Sequence, residues 1–165
     1  MTVSHTYTIR YQPNPNDPSL IYTLNGTIPR QHGYPKVAAL GCFGKDDTTD
    51  KTKLVEALLD NDPDLIVLQG DQTYFHSQLL YGFFETVYGL RDVTRNVPTI
   101  VQLDDHDYGV GNLWGAENGE ENSGFGFQRA PCIVNLKQSL ALGHNPEPAA
   151  ASIVLKNGIT VHYTN

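Results

Sequence analysis

Residues 64 to 74, Asp-Leu-Ile-Val-Leu-Gln-Gly-Asp-Gln-Thr-Tyr, decide the reading of the fold. Leu65 to Leu68 is a continuous apolar run of the kind found in strands covered on both faces, as in a parallel sheet. Gly70 lets the chain bend with no side chain in the way, so Asp71 leaves the sheet at the end of the strand.

Working upstream, Thr49 to Asn61 has Leu54, Val55, Leu58 and Leu59 at helical spacing, Asp50 at its start and Asn61-Asp62-Pro63 as its stop. Before it, Lys36 to Leu40 (KVAAL) is a compact apolar strand ending at Gly41-Cys42-Phe43-Gly44. Strand, helix and strand within about thirty residues predict a right-handed βαβ unit with parallel strands. Cys42 and Asp71 therefore leave the sheet at the same edge. A free cysteine is usually a buried structural thiol, so position beside a metal site is what distinguishes Cys42.

Downstream, Phe75 to Leu90 is a helix-like aromatic stretch, read as core rather than as a cofactor box. The chain returns at Asn96-Val97-Pro98 to a third apolar strand, Thr99 to Leu103, which breaks into Asp104-Asp105-His106-Asp107 and a glycine-rich turn. Three carboxylates around an imidazole at a strand tip offer hard ligands and a titratable group. By itself this stretch reads equally as a solvated acidic cap. Three successive strands ending in candidate ligands (Cys42, then Asp71 with Tyr74, then Asp105 with His106) favour a metal-assisted hydrolytic site beyond the carboxyl ends of an open α/β sheet.

The flanks are simpler. Thr6 to Tyr11 alternates as a strand, Gln12 to Ser19 is a proline-rich loop, and Leu20 to Leu24 is a strand whose end is marked by the turn signal Asn25-Gly26. Asn25-Gly26-Thr27 also matches the glycosylation sequon; without an export signal the turn reading is preferred. Ala116 to Gly126 is a polar, glycine-rich loop, Gln128 to Leu142 a helix, and Ile153 to Tyr163 a hairpin around Asn157-Gly158. Residues 1 to 35 form a small β-hairpin and loop segment ahead of an α/β domain from residue 36 to 165.

Composition sets the outer limits. The chain has 165 residues, an apolar fraction of 39% with nine Tyr and six Phe, and a net charge of −7. These support a core and argue against the basic face that nonspecific nucleic-acid binding needs. A phosphate substrate remains open, because bound cations reverse the local field. Two cysteines imply no disulfide framework. No membrane-length apolar run and no signal peptide are present, so as written the chain reads as cytoplasmic.

These residues resemble the PhoD-like phosphatases, relatives of the purple acid phosphatases within the calcineurin-like metallophosphoesterase superfamily. Gly70-Asp71-Gln72-Thr73-Tyr74 resembles the strand end whose Asp bridges two metals and whose Tyr lies close to, or on, a ferric ion. Leu103-Asp104-Asp105-His106-Asp107 resembles the family's Trp-Asp-Asp-His-Glu stretch, and Gly41-Cys42 its Ser-Cys. The resemblance implies a metallophosphoesterase α-β-β-α sandwich, with Cys42, Asp71, Tyr74 and Asp105 as metal ligands. His106, with Asp105, contacts the phosphate or protonates the leaving group. It also implies a dinuclear centre of divalent or trivalent ions (Fe, Ca, Zn or Mn) acting on a phosphate ester, in a family that is often exported.

The pattern departs from the family in two places. No aspartate precedes Cys42 in its strand; Asp46 and Asp47 follow it. The later histidine and aspartate ligands have no counterpart, since His144 and His162 lack the Gly-His-x-His context. The expectation is the N-terminal part of such a domain, with its C-terminal half absent. Two alternatives stay open: a noncatalytic module that keeps the sheet without metals, and a single-site metal-binding domain using Asp71, Asp105 and Cys42.

Overall fold

The computed structural model describes residues 3–30, 33–44, 51–75, 78–108, 131–146, 153–154 and 158–161. In chain order the elements are strands β1 (His5–Tyr11), β2 (Tyr22–Ile28) and β3 (Val37–Leu40), helix α1 (Lys51–Asn61), and strand β4 (Leu65–Gln69). Helices α2 (Leu79–Gly89) and α3 (Arg91–Thr94), strand β5 (Thr99–Gln102), helix α4 (Pro131–Leu142) and strands β6 (Ile153–Val154) and β7 (Thr160–Val161) follow. The architecture is mixed α/β. Its centre is a parallel sheet in the order β3-β4-β5, with Leu40 beside Leu68 and Gln69 beside Gln102.

That register is what assembles the site. All three strands run the same way, so the residues just past their carboxyl ends, from Cys42, Gly70 and Leu103 onward, collect on one edge. The Cys42 N–H donates to the Gly70 carbonyl at 3.2 Å, extending the β3–β4 pairing past the last strand residue.

Ile66 and Leu68 of β4 are buried in one core cluster with Leu58 of α1, Val93 of α3, and Leu90 and Val97. Burying such side chains contributes roughly 1.5–3 kcal/mol each against an exposed reference. Leu65 and Val67 keep partial exposure, so the second face of β4 is less covered than its continuous apolar run predicts. Lys51 of α1 pairs with Glu85 of α2, joining the two helices. Among the described residues no strand pairs with the outer edge of β5; there Asn145 donates to the Val101 carbonyl at 2.7 Å and accepts the Val101 N–H at 2.9 Å, as a neighbouring strand would.

Two expectations are corrected. Asn25-Gly26 is not a turn but lies inside β2, which pairs with β1 over the full register His5–Ile28 to Tyr11–Tyr22. Gly26 is there because a Cβ would collide with the Tyr7 ring and the Arg95 carbonyl. That carbonyl accepts from the Tyr7 hydroxyl at 2.8 Å and the Thr27 N–H at 3.2 Å, tying the hairpin to the end of α3. The aromatic stripe of α2 is also not all core. Leu79, Gly82 and Thr86 are buried, whereas Tyr81, Phe84 and Tyr88 are exposed, because α2 docks by its small edge. Residues 45–50, residues 109–130 with the loop expected there, and His162 lie outside the described residues.

Candidate metal centre

The turn after β4 is built on left-handed backbone. Gly70 has φ of +99°, and a Cβ there would strike Asp104. Asp71 has φ of +54° and Cys42 φ of +55°. Left-handed backbone is uncommon for residues other than glycine and persists only where the surroundings impose it. Here they do. The Asp107 side chain, 0% exposed, accepts the backbone N–H of Asp71 at 2.8 Å, of Gln72 at 3.0 Å and of Thr73 at 3.2 Å. It also accepts the N–H of Asp104 at 3.1 Å, while the Asp107 N–H donates back to the Asp104 carbonyl. From the other side, Thr86 of α2 donates to the Gln72 carbonyl at 3.0 Å, and Gln72 Nε2 donates to the Gln102 carbonyl at 2.7 Å.

The functional side chains sit on this frame. The Asp71 carboxylate, 7% exposed, accepts from the Tyr74 hydroxyl at 3.0 Å and from the Cys42 thiol at 3.5 Å, both on Oδ2. Its Oδ1 is buried with no hydrogen-bond partner among the described residues. The Tyr74 ring lies against the His106 ring, with centroids 4.1 Å apart and planes inclined by 38°. Ligand atoms of Asp71, Asp105 and His106 all fall within 4.8 Å of one another, with Asp71 buried and the other two half-buried.

All five residues read from the sequence thus come together at one edge. Cys42 and Tyr74 join through the Asp71 carboxylate; Asp105 and His106 join through the short 3-10 turn Asp105–Tyr108 that follows β5. Two carboxylates and an imidazole lie close enough to share one ion, a donor set that suits a first-row transition metal, while the phenol and the thiol are bonded to the same Asp71 carboxylate. A buried carboxylate oxygen without a partner is costly in a dry chain and is satisfied by a cation. On both counts the residues fit a bound metal.

Electrostatics follow burial. Burial pushes the Tyr74 phenol well above its ordinary range, and its hydrogen bonds with Cys42 and Asp71 push the same way. Burial likewise pushes the Asp107 carboxyl up to about 6, against the backbone N–H groups and the Lys137 ammonium, which pull it down. Lys137, on α4, is itself shifted down by burial and partly restored by Asp107. Sequence reasoning missed Asp107 as the anchor of the site, and missed Lys137 entirely. The available signal was local: a short carboxylate three residues after a strand-end Asp is placed to bond backbone N–H groups, as in a capping box.

No protein-family model and no curated protein sequence matches the chain. Among solved structures, purple acid phosphatase PPD1 from yellow lupin (Lupinus luteus) seeds is similar, with a TM-score of 0.46 and 17% identity over 70% of this chain. The chain spans 23% of the length of that structure.

Proposed function

We propose that this edge of the sheet is the metal centre of a phosphoesterase of PhoD-like type, acting on a phosphate mono- or diester. The observation that carries the reading is the convergence of Asp71, Asp105 and His106 within 4.8 Å, beside a buried Asp71 oxygen that has no hydrogen-bond partner among the described residues. Asp71, Asp105, Cys42 and Tyr74 are the residues that would hold the ions. When bound, such ions supply Lewis acidity to the phosphoryl oxygens and a water of lowered pKa.

The chain's own groups supply position and protons. The Tyr74 hydroxyl and the Cys42 thiol hold Asp71 Oδ2 in one orientation, and the left-handed turn presents that carboxylate at the strand end. His106, braced by the Tyr74 ring, donates a proton to the departing alkoxide or holds negative charge on the phosphoryl group. In the metal-free chain Tyr74 remains a phenol; a nearby cation favours its phenolate.

Metal analysis with a chromogenic phosphate ester tests the reading. Two bound Mn²⁺ or Zn²⁺ per chain, with hydrolysis that Asp71→Ala abolishes, support it. One ion without turnover moves the chain to a single-site binding domain, and none to a noncatalytic module. Hydrolysis that survives Asp71→Ala overturns the mechanism.

A further inference from the structure

The two strand ends that carry the candidate ligands are joined, past the last ladder pair, by a side chain. Pairing between β4 and β5 stops at Gln69 beside Gln102, because the backbone of Gly70 and Asp71 is left-handed and the Asp71 N–H goes to Asp107. The Gln102 carbonyl is met instead by Gln72 Nε2, at 2.7 Å. Gln72 is 6% exposed and its main chain is fixed on three sides. Its N–H is held by Asp107 and its carbonyl accepts the Thr86 hydroxyl, each at 3.0 Å, and Gly44 packs so closely that a Cβ there would strike the same carbonyl. A side chain held at its root and bonded at its tip is a strut of set length. Asp105 and His106 lie between Gln102 and Asp107, and both of those residues are tied to the stretch from Asp71 to Thr73. Gln102 is tied by the Gln72 side chain, Asp107 by the N–H groups of Asp71, Gln72 and Thr73. Residues 103–106 are thus clamped at both ends against the turn that carries Asp71.

We infer that Gln72 is a positioning residue for the metal centre: its side-chain amide sets the separation between Asp71 at the end of β4 and Asp105 beyond the end of β5. Ligands on two different strands share an ion only at a separation the ion accepts, and groups that orient ligands typically account for roughly 10–100-fold in metal affinity. Without the amide, residues 103–106 keep their attachment at Asp107 and lose the one at Gln102, so Asp105 gains freedom relative to Asp71. A glutamine that merely fills space behaves differently. Its loss would weaken binding equally whether or not Asp105 is there to be positioned.

This inference rests on the proposed metal site, and the experiment separates the two. Mn²⁺ binding is titrated by the electron paramagnetic resonance of the free ion in wild-type, Gln72→Met, Asp105→Ala and doubly substituted chains, each confirmed as folded by circular dichroism. Methionine matches glutamine in length and has no N–H to donate. The expected result is about tenfold weaker Mn²⁺ binding when Gln72→Met is made in the wild-type chain. In the Asp105→Ala chain the same substitution should cost no more than about threefold, the remainder being the share of His106. Should the methionine chain not fold, Gln72→Asn replaces it: the same amide, one methylene shorter, falls short of the Gln102 carbonyl and the same loss is expected. Should Asp105→Ala bind too weakly to titrate, the amide resonances of the metal-free chains decide, with Asp105 and His106 displaced in the Gln72 variant and Leu58 unmoved. Wild-type affinity in a folded Gln72 variant, an undiminished loss in the Asp105→Ala chain, or unmoved Asp105 and His106 resonances overturns the role of Gln72 alone. A wild-type chain that binds no Mn²⁺ overturns the metal site and this inference with it.

Discussion

Asp107 spends its whole hydrogen-bonding capacity on backbone: four N–H groups from two strand ends converge on its two oxygens. An amide in its place turns one acceptor into a donor facing donors, leaving buried N–H groups unpaired at about 1–3 kcal/mol each. Asp107→Asn is therefore expected to destabilise the chain by about 2–3 kcal/mol at pH 7, read from urea unfolding. The pH dependence has a definite sign. The Asp107 carboxyl lies at about 6 in the folded chain against an ordinary 3.8, so between those values the folded state holds a proton the unfolded state has lost. Its contribution is complete below the ordinary value and is lost as pH rises through about 6. The gap between wild type and Asp107→Asn should accordingly be wider at pH 4 than at pH 7. Asp71, Asp105 and His106 were legible in the sequence because each directly follows an apolar strand or its short turn. Asp107 was legible only as another carboxylate, since nothing in the residue type separates one that faces solvent from one that faces four N–H groups.

At the scale of elements, what the sequence displayed was the parallel β3, β4 and β5 with α1 between the first two, because apolar run length and helical spacing are set locally. What it concealed were contacts made by glycines. Gly26 signals a turn when read locally, yet in the fold it is the gap through which Tyr7 reaches Arg95. Gly82 reads locally only as a weak helix residue, yet it lets the helix sit directly on Thr73 and Phe75. Gly82→Ala tests this against propensity. Alanine gains about 1 kcal/mol of helix propensity, while forcing a methyl group into a packed contact costs about 1–3 kcal/mol. The expected net is a loss of stability together with weaker Mn²⁺ binding, because the displaced partner is the loop that follows Asp71. A chain that became more stable with unchanged binding would show that α2 does not brace the site. Gly26→Ala makes the converse case: it should loosen the hairpin, detected as faster amide exchange in β1 and β2, and leave Mn²⁺ affinity at the wild-type value.

The whole molecule carries a net charge of −7, and at one sheet edge it gathers Asp71, Asp104, Asp105 and Asp107 within a few residues of sequence or one strand spacing. Folding brings these carboxylates together and so works against their mutual repulsion, while the unfolded chain disperses them. A cation bound at Asp71, Asp105 and His106 relieves that repulsion only in the folded state, and linkage turns this into stability. At a hundred times the dissociation constant a single such ion adds about 2.7 kcal/mol. For a chain of this length that corresponds to a rise in Tm of about 5–10 °C. General screening of a −7 chain also stabilises it, so the comparison is made at constant ionic strength, with Mn²⁺ against KCl. The expected outcome is a Tm rise that saturates with Mn²⁺, reverses with a chelator, and disappears in Asp71→Ala. That variant loses one carboxylate from the edge and so relieves part of the repulsion itself; its metal-free Tm should lie at or above that of the metal-free wild type. A Tm rise that persists in Asp71→Ala would place the bound cation elsewhere on the acidic surface and remove Asp71 from the centre of the site.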